Sequence, residues 1–107
     1  MAIAQTTVSN SLSSIYTSGG STAITVIFFM NNGSSDVTIS VAVADAATAA
    51  LGPLSIAANG ILKDVTIAAG DTYILDVEKF VLENGDEIHA VATTAGDVVA
   101  TMTYAEL

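Results

Sequence analysis

From Val37 to Ala44 the apolar residues Val37, Ile39, Val41 and Val43 alternate with Thr38, Ser40, Ala42 and Ala44. A repeat of two built on β-branched side chains is the mark of a strand with one face buried. The pattern recurs near the C-terminus. Ile88, Ala90 and Ala92 alternate with His89, Val91 and Thr93, and Val98, Ala100, Met102 and Tyr104 alternate with Val99, Thr101, Thr103 and Ala105. The stretch Thr22 to Met30 is apolar on both faces, as in a central strand or one covered by a neighbour. Phe28 and Phe29 point to opposite faces of that strand. One of them belongs to the core, and the other meets a covering loop or a subunit contact.

Turn residues separate these runs. Gly19-Gly20, Asn32-Gly33, Asn59-Gly60, Gly70-Asp71, Gly85-Asp86 and Gly96-Asp97 all fall between apolar segments. Glycine supplies positive φ without steric cost, and Asn or Asp bonds locally to backbone. Asn32-Gly33, between two strong strands, reads as a hairpin turn. The segment Ile67 to Tyr73 is echoed by Leu82 to Ile88, each an apolar residue, two spacers, Gly-Asp, one spacer and an apolar residue, as two hairpin turns of the same chemistry. The spacing predicts strands near 11–17, 22–31, 36–44, 60–68, 71–77, 79–83, 86–93 and 97–105. About eight short antiparallel strands make an all-β chain, a single small β-sandwich of jelly-roll or Ig-like type, or a small barrel. Asp45 to Leu51 is the exception. Asp45 can cap, the alanines favour helix and Gly52-Pro53 stops it, so a turn or two of helix competes there with an extended loop. The first 14 residues are polar and Ser/Thr-rich. They read as an extended arm that orders on a partner, leaving 15–107 as the folded domain.

Composition narrows the function. Charged residues make up 12% of the chain against 51% apolar, too few to cover the surface, so part of it is expected to lie against another subunit. The net charge is −9 from 11 acids and 2 lysines, with no arginine. A phosphate-neutralising surface needs basic residues, so neither nucleic acid nor an anionic membrane is an expected partner. The most apolar stretch is far too short for a spanning helix. Without cysteine there is no disulfide framework and no thiolate metal site.

Chemistry is sparse. His89 is the only histidine, and no nucleophile elbow accompanies any serine, so a surface or interface role outweighs a catalytic one. The acids Asp71, Asp76, Glu78, Glu83, Asp86 and Glu87 lie on strands and separate turns without the spacing of a calcium loop. A carbohydrate platform would want exposed aromatics, yet there is no tryptophan. No catalytic residue, metal or cofactor is expected, and the protein is not read as an enzyme. The residues marked for an interface are Phe29, Phe80, His89, Tyr104 and Leu107.

From about residue 15 onward the chain resembles small β-sandwich structural proteins of tailed bacteriophage virions. The likeness is carried by Lys79-Phe80-Val81-Leu82, Gly85-Asp86, Ile88 and the terminal Tyr104-Ala105-Glu106-Leu107, together with the tyrosine-threonine strand at Tyr16-Thr17 and the Asn-Gly turn. It departs at the alanine-rich Asp45 to Gly60, where a more polar loop is expected. The resemblance implies a non-enzymatic virion component assembled in the host cytoplasm. The foremost form is a capsid decoration or cement protein, a homotrimer bound to a major capsid protein. A neck or tail accessory protein comes next, and a carbohydrate- or ligand-binding sandwich is the rival from another class.

Overall fold

The computed structural model describes residues 2–76 and 80–107. Among them nine strands form two antiparallel sheets: β1 (Ala2–Thr7), β2 (Ser13–Thr17), β3 (Thr22–Asn31), β4 (Val37–Ala44), β5 (Gly60–Ile67), β6 (Thr72–Leu75), β7 (Phe80–Leu82), β8 (Glu87–Ala92) and β9 (Val98–Glu106). One sheet runs β1-β9-β3-β6, with β7 also pairing β3, and the other runs β2-β8-β4-β5. The pairs are nested. β4–β5 is innermost, then β3–β6, then β2–β8, then β1–β9, and successive pairs fall in alternate sheets. A long hairpin wrapped this way is a jelly roll, and β7 is an addition to it. The chain is therefore a two-layer β-sandwich, as its alternating strands predict.

The core lies between the sheets. Ile24, Ile27 and Phe29 of β3 and Val98, Ala100 and Met102 of β9 meet Ile39 and Val41 of β4 and Ile88 and Ala90 of β8. The two short helices lie between β4 and β5. In α1 (Ala46–Ala50) the Asp45 carboxylate caps the first turn by accepting from the Thr48 amide at 2.8 Å. That bond holds the Asp45 carboxyl below its ordinary pKa of 3.8. In α2 (Ile56–Asn59) the Ser55 hydroxyl caps by accepting from Ala58. The Gly-Asp echo is turn chemistry, but neither turn closes a hairpin, because β5 and β6 lie in different sheets, as do β7 and β8. Gly70 and Gly85 take φ of 80° and 88°, and the following amides bond back to Ala68 and Glu83 at 2.9 and 3.0 Å, the geometry of type II turns.

Three further expectations are corrected. The segment read as an arm is not separate from the fold. Ala2 to Thr7 pairs in unbroken register with Tyr104 to Val99 as strand β1, and Val8 after it is fully buried. Ala4, on the inward side of β1, packs against the core.

Asn32-Gly33 does not close a hairpin. It carries the chain from β3 in one sheet to β4 in the other. The crossing is held by the buried Asn31 amide, which donates to the Ser35 and Ile67 carbonyls at 2.8 and 3.0 Å and accepts from the Gly33 amide at 2.9 Å.

Phe29 is not an interface residue, since it is 0% exposed in the core. The reason is a bulge. β3 skips a residue against β9 between Ile24 and Val26, so the inward positions change from Thr22 and Ile24 to Ile27, Phe29 and Asn31. The extra residue, Thr25, bonds the Thr103 carbonyl and hydroxyl at 3.1 and 2.5 Å.

Candidate interaction face

Alternation along each strand of the five-stranded sheet sets what its outer surface presents. Register places Gln5, Thr101, Phe28 and Ile74 in one row across β1, β9, β3 and β6. Thr7, Val99, Met30 and Thr72 form the next. Ile3, Thr103 and Val26 lie on the other side of the first row, and Ala105, Ala23 and Val81 complete the surface over β7. None of these residues is charged. Ile3 is 68% exposed and Ile74 54%, with Val81 and Met30 also open to solvent. The polar members are hydroxyls and one amide, and Gln5 already donates to the Thr101 hydroxyl at 3.0 Å.

In a chain of net charge −9 such a face is unexpected. The acids go elsewhere. Asp36, Asp45, Asp71, Glu83, Asp86 and Asp97 sit in the connections between strands, and Asp76, just past the end of β6, marks the rim of the face beside Val26. Glu106 ends β9 opposite the inward-facing Thr22. Four strands about 4.8 Å apart, each contributing about 20 Å of length, make a face on the order of 400 Å². That is roughly half of what one partner contributes to a standard interface.

The four-stranded sheet is finished differently. Ser40 and Ala42 point outward from β4 but are buried, with α2 packed against β4 and β5. β5 bulges twice against β4, and Asp64 in the bulge takes φ of 52° while its amide donates to the Ser40 hydroxyl at 3.0 Å. Glu87 and His89 stand two residues apart on the outer side of β8. His89 Nε2 lies 2.6 Å from a Glu87 carboxylate oxygen, and His89 Nδ1 is buried without a hydrogen-bond partner. This pair is local to one strand. Among the described residues no three His, Asp or Glu side chains gather to hold a metal ion.

The residues marked from the sequence are scattered. Phe29 is core. Tyr104 is half-buried at the open end of the sandwich, its ring 5.4 Å from that of Tyr16, so it ties the two sheets together. Leu107 is 75% exposed and its amide donates to the Ser21 carbonyl. His89 is on the opposite sheet from the uncharged face. Phe80 opens β7 opposite Ile24, and its side chain lies outside the described residues. Sequence reasoning missed the face itself, whose members are Phe28 and Ile74 rather than Phe29 and Tyr104. A signal for it exists, because the first charge along the chain is Asp36.

Compared with known protein families, with curated proteins and with solved structures, the chain matches none.

Proposed function

We propose that this chain is a non-enzymatic structural protein of a tailed bacteriophage virion, a decoration or cement protein that seats the uncharged face of its five-stranded sheet on the head shell. The observation that carries the assembly role is that face: among the described residues, its five strands present apolar side chains, hydroxyls and one amide with no charged strand residue, in a chain with 11 acids. Charged side chains are depleted from the centres of protein interfaces, and apolar sheet surface in contact with water favours association. The virion setting is supported by the sequence likeness around Phe80 to Ile88 and at Tyr104 to Leu107. The size of the face agrees with decoration. One copy makes a small contact, but a shell offers many equivalent positions, and multiplied weak contacts hold through avidity.

The test is co-sedimentation of the purified protein with expanded empty phage heads, followed by heating. Saturable binding and a higher temperature of head disruption are expected, because a ligand of the assembled state stabilises it. Absence of binding to expanded heads would overturn the decoration reading.

A further inference from the structure

A sheet edge is an open row of backbone donors and acceptors, and proteins protect such edges with charge, proline, bulges or short length. The edges of this sandwich differ in that respect. On the four-stranded sheet, β5 carries Lys63 and Asp64 and two register breaks, and β2 is broken by a bulge between Ser14 and Tyr16. On the five-stranded sheet, β6 has four residues between Asp71 and Asp76, and β7 has three followed by Glu83. β1 has none of these protections. Its six residues, Ala-Ile-Ala-Gln-Thr-Thr, keep one register with β9 and include no charge and no proline.

The direction of its free groups follows from the ladder. Val8 donates to the Val98 carbonyl at 2.8 Å, one step beyond the Thr7–Val99 pair. Antiparallel pairs alternate between bonded and non-bonded. Ala2, Ala4 and Thr6 therefore direct their amides to β9, and Ile3, Gln5 and Thr7 direct theirs outward.

We propose that β1 pairs antiparallel with β1 of a second copy about a two-fold axis through Gln5, joining two five-stranded sheets into one. Only odd residues can bond across this edge. Placing Gln5 opposite Gln5 puts Ile3 opposite Thr7 of the second copy, and Thr7 opposite its Ile3. All three outward-directed residues are then used, whereas a shift by one pair in either direction sets one of them, Thr7 or Ile3, opposite a position beyond the strand. Every facing side chain is uncharged, so two chains of net charge −9 meet here without an acid on the pairing strands. The pairing also sets two uncharged faces side by side, a joined surface on the order of 800 Å², the contribution of one partner to a standard interface. The inference deepens the assembly reading of the same sheet and rests on it.

The test is the solution mass of the full chain by light scattering, with three variants. The wild type is expected at twice the chain mass at micromolar concentration. Gln5→Pro removes an outward amide and leaves the β9 ladder its bonds, so a folded monomer is expected. Gln5→Lys, which sets two cations together at the axis, is expected to weaken the dimer at least about tenfold and keeps the test decisive if the proline variant fails to fold. The chain has no cysteine, so Gln5→Cys supplies a single thiol. Its mate lies about 5.5 Å away by Cα, within disulfide range. Thr7→Cys places its mate roughly 14 Å away. Rapid oxidation to a dimer is expected for Gln5→Cys and not for Thr7→Cys.

A wild-type monomer, a trimer, a dimer indifferent to Gln5→Lys, or equal cross-linking of both cysteine variants would overturn the proposal. A monomer that still binds the shell overturns the dimer alone. A dimer that ignores the shell overturns the decoration reading and leaves the dimer standing.

Discussion

On the four-stranded sheet Ala42 points away from the core and is nonetheless buried, because the segment containing α2 packs over β4. On the five-stranded sheet Ile74 also points away from the core and stands more than half exposed. Both sheets shield the same interior, so the core does not require this difference. The chain covers one outer face with a helix, two bulges and ionisable groups, and leaves the strands of the other uncharged and open. A single lysine would have been enough to interrupt the open face. The contrast supports the proposal that the open side is the assembly surface.

The largest expected effect separates inside from outside on β3. Phe29→Ala should cost about 3–5 kcal/mol of stability by leaving a cavity in the core. Phe28→Ala, one residue away on the open face, should cost about 1 kcal/mol. Urea unfolding of the two variants checks this, and equal losses would mean that the bulge at Thr25 does not set the side-chain parity. Next is Val8→Ala. If the N-terminal segment is part of the sandwich, deleting two buried methyl groups should cost about 2 kcal/mol. A loss near zero would return residues 2–8 to the status of a detached arm.

The smallest effect concerns the covered face. The Asp45 carboxyl has its pKa lowered by the Thr48 amide, so its capping contribution is present above pH 3.8 and is lost as the pH falls through the lower folded value. Asp45→Asn keeps a capping side chain without that titration. Its stability should therefore decline less steeply than the wild type's between neutral pH and pH 3, a difference measurable by thermal melts across that range.

Much of the architecture follows from local patterns. The strands β4, β8 and β9 stand where alternation puts them, and Asp45 caps the helix that its alanines favour. The type II turns at Gly70 and Gly85 are equally local. What local pattern cannot supply is pairing across the chain. Ala2 to Thr7 lacks a run of large β-branched residues, and it is a strand because Tyr104 to Val99, about a hundred residues away, accepts it. Asn32-Gly33 has the chemistry of a hairpin, yet whether two flanking strands pair or part depends on sheet order. Phe28 and Phe29 were known to face opposite ways, but only the bulge opposite Thr103 decides which one is inside. The open face draws on all these pairings at once. It becomes visible only when the outward positions of five strands are laid side by side.

The most direct test of the open face adds one charge to each side of the sandwich. Ile74→Lys lies on the five-stranded sheet and Thr66→Lys on the four-stranded sheet. Both positions are exposed strand residues, and both variants change the net charge equally. Co-sedimentation with expanded heads should show Thr66→Lys binding as the wild type does. Ile74→Lys should bind at least about tenfold more weakly, since an unpaired charge buried in an interface costs more than 1.4 kcal/mol. Equal binding by both variants, or loss confined to Thr66→Lys, would contradict the assignment of the uncharged face as the assembly surface.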